Sequence, residues 1–436
     1  MKKATFILST VCVLASAITH AQSFSPVGAG NYSLTSSTII INGGDIYADN
    51  MFVNGSDIFT YGKFSNGNWS KMGGWGSVVG VTSAAKIGDN IYVGGHFINA
   101  AGDTNMDKIA RWNITTGTWH ALGGGLNGYV MDIVQMGTDI IVAGSFTNAG
   151  GDPNADYIAK WNGTSWSALG SQVVSTNSFT VVSALAVHNN ELYIGGNFYS
   201  SNGGVANYLT KWDGTSFQQV YGWNSQVGAV YEIVFDTDNN LYIGGEFPAK
   251  IAKYNGTGWD LMGNFTASGA SWISDIEIVG TSVYVGGKFQ DAKGLASADN
   301  IAKYNGTTWE AVGGGLNEEV YEMAVSGADL YIAGKFTDAG GNTAADKLVK
   351  YGVSGSTGLN NFFNTEGFKI YPNPNNGEFN IQTEKDGVFE LMNITGQIIN
   401  TYLITNTSQS INEKLSPGLY FIREKETNAV SKVIVQ

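Results

Sequence analysis

The chain has 436 residues, 59 of them glycine, with 12 % aromatic and only 14 % charged residues, one cysteine and a formal net charge of −13. Such an acidic surface repels phosphate backbones, which argues against nucleic acid as a partner. Abundant glycine and aromatics with few charges are the composition of an all-β protein with many tight turns, not of a helical array or a disordered chain.

In chain order, the first element is a signal peptide over 1–21. Lys2 and Lys3 precede an apolar run from Ala4 to Ile18, and Ala21 offers a small residue before the cut. A membrane anchor is the alternative, but the run is shorter than the ~20 residues a spanning helix needs. No other segment is long and apolar enough to span a bilayer. Cys12 leaves with the signal, so the mature chain has no disulfide, no thiolate metal site and no cysteine nucleophile.

A repeat follows. "LYIGGEF" at 241–247 has relatives "IYVGGHF" at 91–97, "IIVAGSF" at 140–146, "LYIGGNF" at 192–198, "VYVGGKF" at 283–289 and "LYIAGKF" at 330–336, with a worn copy, "MFVNGSD", at 51–57. The second residues of these phrases fall at 52, 92, 141, 193, 242, 284 and 331, at steps of 40 to 52 residues. A period near 40–50 residues reads as propeller blades once helices are excluded by composition. Each repeat reads as four strands, for example 272–279, 282–289, 300–305 and 308–313. The second strands are apolar on both pleat faces, which suits a sheet packed between two others, and their Gly pairs allow close backbone approach.

Between third and fourth strands the chain writes "WNGTSW" (161–166), "WDGTSF" (212–217), "YNGTGW" (254–259) and "YNGTTW" (304–309). Asn-Gly between strands predicts a type I′ hairpin turn. That chemistry accounts for the spelling better than N-glycosylation at Asn162, Asn255 or Asn305. The last copy has second and third strands but no fourth, while "FSPVGAGN" at 24–31 matches "WEAVGGGLN" at 309–317. The N-terminal strand is therefore expected to complete the last blade, closing a ring and removing its free edges. The fold expectation is all-β: a seven-bladed β-propeller over 22–352 closed by its N-terminal strand, a linker over 353–366, and a small C-terminal β-sandwich over 367–436.

Two resemblances bear on these segments. "YIGGNF…NYLTKWDGTSF" and "YVGGKF…NIAKYNGTTWEAVGGGLNEEVYEM" resemble the Kelch-like propeller repeats of secreted and cell-surface proteins, most of all those of the fungal cortical polarity-marker family. At the C-terminus, "KIYPNPNNGEFNI" (369–381), "LMNITGQII" (391–399), "LSPGLYFIRE" (415–424) and "KVIVQ" (432–436) resemble the type IX secretion C-terminal sorting domain, type A. That resemblance implies a β-sandwich read by the type IX secretion machinery of Bacteroidetes-type bacteria. It further implies a protein secreted or held at the outer-membrane surface of a Gram-negative cell.

Loops alternate between the two ends of an antiparallel meander. Tight turns crowd one end, and long, unequal loops such as 98–108, 147–157, 337–347, 123–129 and 313–319 fall at the other. The long-loop face is the expected ligand face. Trp75, Trp223 and Trp272 stand off the repeat near first strands and are the candidate ligand-stacking residues, with a notch expected beside Trp223 and Trp272 where the loop shrinks to 248–250. Trp112, Trp161, Trp166, Trp259 and Trp309 recur at repeat positions and read as blade packing. Asp103, Asp107, Asp152, Asp156, Asp299 and Asp346 recur in the long loops. They are either calcium ligands or caps of loops and turns, and both readings stay open.

No catalytic constellation is visible. His96, His120 and His188 lack zinc spacing, and no nucleophile elbow occurs. The expected function is a non-catalytic, monomeric binding propeller for a glycan, peptide or protein. It has no cofactor unless calcium binds, and no membrane span in the mature chain. The alternative is a polysaccharide hydrolase or lyase with paired carboxylates on the long-loop face.

Overall fold

The computed structural model of the chain describes residues 23–435 apart from 29–36, 55–56, 74–79, 171–179, 200–206, 224–227, 264, 266–269, 328, 353–367, 374, 384–385, 394–397, 406–407 and 426–429. The signal peptide, the linker and Trp75 lie outside the described residues. What is described falls into two compact units, one within 20–353 and one within 354–436.

The first unit is a seven-bladed propeller: among the described residues, seven four-stranded antiparallel sheets. Six are meanders. Blade 1 is built from Ile39–Asn42, Asp45–Asn54, Asp57–Ser65 and Asn68–Lys71, and blade 2 from Val81–Ile87, Asn90–Gly95, Ile109–Asn113 and Thr118–His120. Blades 3 to 6 open with Val130–Met136, Val181–His188, Val230–Phe235 and Trp272–Val279. Blade 7 takes Val320–Ser326, Asp329–Gly334 and Leu348–Gly352, and its fourth strand is the N-terminal Phe24–Pro26. Phe24 pairs with Tyr351, Ser25 with Lys350 and Pro26 with Val349. The expected closure is present, and it hides the edge that an open array would expose.

The repeated Gly pair has two distinct duties. A Cβ on Gly94 would stand 2.2 Å from Cγ1 of Val130, in the first strand of the next blade, and Gly286 meets Val320 in the same way at 2.5 Å. A Cβ on the second glycine would strike the blade's own backbone: Gly95 meets the Gly80 carbonyl at 2.0 Å and Gly144 the Tyr129 carbonyl at 1.8 Å. One glycine lets blades nest, and the other lets the first strand bulge toward its neighbour. The second strands between them are buried nearly throughout.

One turn expectation is corrected. In "NGT" only the glycine has positive φ (Gly163 +98°, Gly214 +98°, Gly256 +87°, Gly306 +96°), so these are not two-residue type I′ turns. The Asn162 side-chain oxygen accepts hydrogen bonds from the Thr164 and Ser165 N–H groups, both at 2.9 Å, and stands in for a backbone carbonyl. Asp213 does the same for Thr215 and Ser216, which is why "DGT" serves as well as "NGT". A two-residue Asn-Gly turn with both residues at positive φ does occur once, at Asn66–Gly67 between the last two strands of blade 1.

The copy at 51–57 is also misplaced. Ile39 pairs with Ala48 in blade 1 as Ala84 pairs with Val93 in blade 2, so the true copy is "IYADNMF" at 46–52 and Tyr47 takes the place of Tyr92. The segment read as a second strand is instead the far end of a long hairpin, whose two strands pair as far as Asn54 and Asp57.

The fourth-strand tryptophans form a belt. The indole N–H groups of Trp119, Trp166, Trp259 and Trp309 donate to the carbonyls of Met72, Leu122, Tyr221 and Met262, each just past the fourth strand of the preceding blade. Trp69 reaches the Val27 carbonyl beyond the closing strand at 3.5 Å. In the five blades whose fourth strand carries a tryptophan, that side chain thus packs the blade and pins it to its neighbour.

The second unit is a β-sandwich. Phe368–Tyr371, Glu378–Thr383 and Ser408–Asn412 form one sheet, and Ile398–Ile404, Gly387–Met392, Gly418–Glu424 and Val430–Val435 form the other. Phe368, Phe379 and Ile381 from the first sheet share one core with Phe389, Leu391, Ile422 and Val433 from the second.

Candidate functional site

First strands line the propeller axis, and their inner edges have no strand partner. Those of blades 2 to 7 begin with a bulge. The bulged residue is Thr82, Met131, Ser183, Tyr231, Ser274 or Tyr321 in blades 2 to 7, and Ser37 stands at the corresponding place before blade 1. These residues line a cavity of about 660 Å3. The next position in each strand holds Thr38, Ser83, Asp132, Ala184, Glu232, Asp275 and Glu322 in turn. Four of seven blades thus place a carboxyl group at the same height, and Glu277 adds another two residues further along blade 6. Among the described residues no lysine, arginine or histidine lines the cavity.

Part of this acidity is structural. A bulge disrupts the ladder and leaves backbone groups near the axis without strand partners. The Asp132 carboxylate accepts from its neighbour's N–H, Ile133, and at 2.6 Å from the N–H of Leu185 in blade 4. Asp275 repeats the arrangement with Ile276 and, in blade 7, Met323. Glu322 takes the N–H of Ile39, carrying the stitch across the closure. Hydroxyls serve on the acceptor side: Thr82 Oγ1 donates to the Val130 carbonyl at 2.5 Å and Ser274 Oγ to the Val320 carbonyl at 2.6 Å. Glu232 and Glu277 have no such duty across blades in the hydrogen bonds that hold them; each takes the N–H of the residue that follows it.

Burial dominates the electrostatics. It pushes Asp132 up to about 6 and Asp275 up to about 7, against the backbone hydrogen bonds that lower both. Burial and then the Asp275 carboxylate push Glu277 up to about 8. Glu232 and Glu322 lie well above the usual carboxyl range, through burial first and then the charges of Asp275 and other acids around the axis. Asp49, fully buried and holding the Ser37 and Thr38 N–H groups at 2.8 Å each, is pushed up to about 7 by burial. The site therefore carries protons near neutral pH.

The mouth is aromatic. Trp272, Tyr231 and Tyr321 stand at the starts of first strands and Glu246 just past the end of a second strand, all on the long-loop end of the blades. The Tyr231 hydroxyl donates to Glu246 at 2.8 Å, and Tyr321 to Glu319 at 2.7 Å. The Lys288 ammonium sits 5.1 Å above the Trp272 ring.

Of the tryptophans singled out in the sequence, Trp272 lines this cavity. Trp223 is 4 % exposed, packed on Phe247 and Trp259 at ring separations of 5.3 and 4.8 Å. It fills the space beside 248–250 instead of bordering a notch, because an indole between two rings gains more by burial than by exposure. Five of the six loop aspartates accept backbone N–H groups of their loops. Asp107, Asp156 and Asp299 accept from the N–H groups of Asn99, Asn148 and Asp291, each eight residues earlier and at positive φ. Asp103 and Asp152 hold the N–H groups of Asn105 and Asn154, and Asp346 is raised by burial. Among the described residues no three His, Cys, Asp or Glu side chains gather as a metal-holding group.

The axial carboxylates escaped the sequence reading. Their signal was there as "VMDI", "VYEI", "ISDI" and "VYEM": an acid at one fixed position of an apolar strand.

Residues 369–436 match the model of the secretion-system C-terminal sorting domain. That domain directs export by the type IX route in Bacteroidetes-type bacteria and marks the protein for the cell surface or the medium. No curated protein sequence matches the chain. Among solved structures, the chain is similar to Porphyromonas gingivalis PorZ, described as an essential surface component of the type IX secretion system. The identity is 12 % and the TM-score 0.46, over 94 % of this chain and 61 % of that one. It is similar to YCF48 bound to a D1 peptide at 14 % identity and TM-score 0.48, over 78 % of this chain and 97 % of that one. The GH74 xyloglucanase of Xanthomonas campestris gives 11 % and 0.48, over 95 % of this chain and 62 % of that one. The chain thus spans about three fifths of the length of two of these proteins. The seven four-stranded sheets, not these likenesses, establish the architecture. Among the described residues no helix is long and apolar enough to cross a membrane.

Proposed function

We propose that the exported propeller is a binding protein whose ligand enters the axial cavity from the long-loop face. The observation that carries this reading is the cavity itself. It has about 660 Å3 of space, a mouth of Trp272, Tyr231 and Tyr321, and an interior of carboxyl and hydroxyl groups. Pockets of this size, apolar at the wall with a few convergent polar groups, are the usual form of a small-ligand site. The resemblance of the repeats to Kelch-like surface propellers agrees with a binding role. The loop aspartates are spent on their own loops, so calcium has no part in the proposal.

A hydrolytic reading has one observation in its favour. Burial, and then the Asp275 carboxylate, raise Glu232 well above the usual carboxyl range, and an acid so raised near a second carboxyl is the equipment of a glycosidase. The stitching of Asp275 to Met323 weighs against it, because a carboxylate fixed in the backbone network is poorly placed to attack a sugar.

The test is a binding screen of the full exported protein against oligosaccharide and peptide panels, repeated with Trp272→Ala. Loss of the selected ligand in the variant, with the ligand recovered unaltered, is the expected result. Undiminished binding by Trp272→Ala sends the site elsewhere, and cleavage that Glu232→Gln abolishes makes the protein a hydrolase.

A further inference from the structure

Resting on that reading of the cavity, we infer that its ligand is an organic polycation, a molecule carrying two or more amino or guanidinium groups, and that Glu232 and Glu277 receive it. Three independent features of the geometry point this way.

The first is composition in space. A cavity of about 660 Å3 has carboxyl groups entering it from the first strands of blades 3, 5, 6 and 7, with no basic side chain among the described residues of its wall. An uncharged ligand leaves such groups without a counter-charge, whereas ammonium groups spaced along a flexible chain meet several of them at once. The second is the division of labour around the axis. Asp132, Asp275 and Glu322 hold N–H groups of the following blade, so their presence is explained by the fold. Among the described residues Glu232 and Glu277 bridge no blades through the bonds that hold them, yet both line the cavity, partly buried. The third lies at the mouth. The Trp272 ring already carries an ammonium group, that of Lys288, and Tyr231 and Tyr321 stand beside the same entrance. Aromatic faces next to carboxylates form a common receptor for alkylammonium and guanidinium groups.

A cation entering this site changes its protonation. The titratable groups that face it are Asp132 in blade 3, Glu232 and Tyr231 in blade 5, Glu277 and Asp275 in blade 6, and Glu322 and Tyr321 in blade 7. Glu246 joins them from the second strand of blade 5, Asp49 influences Glu322 from blade 1, and Lys288 is the nearest fixed cation at the mouth. With the cavity empty, burial and mutual repulsion favour the protonated acids, and a bound cation favours the carboxylates. Binding therefore releases protons, and affinity rises with pH between about 6 and 8. A neutral sugar gains nothing from ionisation and shows no such rise.

The experiment is calorimetry on the full exported protein at pH 6 and pH 8, with three probes: spermidine, the dipeptide Arg-Arg and neutral xylotetraose. The expected result is that the cations bind at pH 8 and bind roughly tenfold or more weakly at pH 6. Heat in buffers of different ionisation enthalpy should report proton release. Glu232→Gln and Glu277→Gln should each weaken binding about tenfold and reduce the protons released. Both variants remove an ionisable group while keeping the size of the side chain, and thermal unfolding verifies that they fold. Preference for spermidine identifies a free polyamine, and preference for Arg-Arg a basic peptide segment. Absence of cation binding at pH 8, or equal binding by both Gln variants, overturns the inference. If xylotetraose binds instead and Trp272→Ala weakens it, the cavity stands and the polycation fails. If every bound probe ignores Trp272→Ala and both Gln variants, the cavity reading fails as well.

Discussion

Two glycines show how differently the same residue type can be required. Gly144 has an ordinary backbone, yet a Cβ there would lie 1.8 Å from the Tyr129 carbonyl, an atom of the backbone that cannot rotate away. Gly256 has open space around its missing Cβ and a φ of +87° that only glycine adopts freely. Gly144→Ala should cost about 2–4 kcal/mol, as an overpacked core with a displaced strand does. Gly256→Ala should cost about 1 kcal/mol, the conformational term alone. Urea unfolding of the two variants checks the order, and a larger loss at Gly256 would contradict the close approach of the blade's own backbone to Gly144. The same distinction separates Asn162 from its glycine: the side chain supplies two hydrogen bonds, while Gly163 supplies only its φ of +98°.

At the scale of the strand, the seven inner strands solve a problem common to every propeller. They form the free edges of their sheets and face one another around an axis too narrow for another strand. Here hydroxyl and carboxyl side chains at the bulge join strand to strand, and acids concentrate as a result. The carboxyl groups are raised to about 6 at Asp132, about 7 at Asp49 and Asp275 and about 8 at Glu277, against about 4 in an unfolded chain. Between pH 4 and 8 the folded protein then holds more protons than the unfolded one, so these groups make stability fall as pH rises. The urea midpoint should be higher at pH 5.5 than at pH 8. Glu232→Gln should flatten the difference, since it removes both a raised acid and a repelling charge. A midpoint that climbs steadily to pH 8 would show that these acids ionise freely in the fold.

For the whole propeller the decisive contact is the one that joins its two ends. Phe24 is 4 % exposed and touches the Tyr351 ring at 5.1 Å. A Cβ on Gly313 would collide with the Phe24 ring at 2.5 Å, so blade 6 leaves room for this side chain. Phe24→Ala should therefore lower stability by about 3–5 kcal/mol, the cost of emptying a packed aromatic site. Chemical unfolding measures it, and a loss below about 1 kcal/mol would mean that the ring closes without its clasp. Export is a separate matter, carried by the C-terminal sandwich, whose core draws on residues of 368–435.

Much of this was legible in the linear chain because it depends on periodicity. Blade number, the borrowed N-terminal strand, the tight-turn and long-loop ends and the sorting domain all leave a repeated or ordered spelling that local backbone chemistry enforces. Blade 1 was misread where that spelling failed: Asp49 and Asn50 replace the glycine pair, so the phrase that marks a second strand is missing there. What only the tertiary structure decided is which side chains meet. Trp223 and Trp272 look alike in sequence, but one is enclosed by Phe247 and Trp259 while the other opens onto the axis. From one blade to the next, the acids of blades 3, 5, 6 and 7 are 43 to 100 residues apart along the chain, and the fixed strand position they share does not by itself say that they meet. They become one site only because the ring closes and brings equivalent strands to a common axis, where burial holds on to their protons.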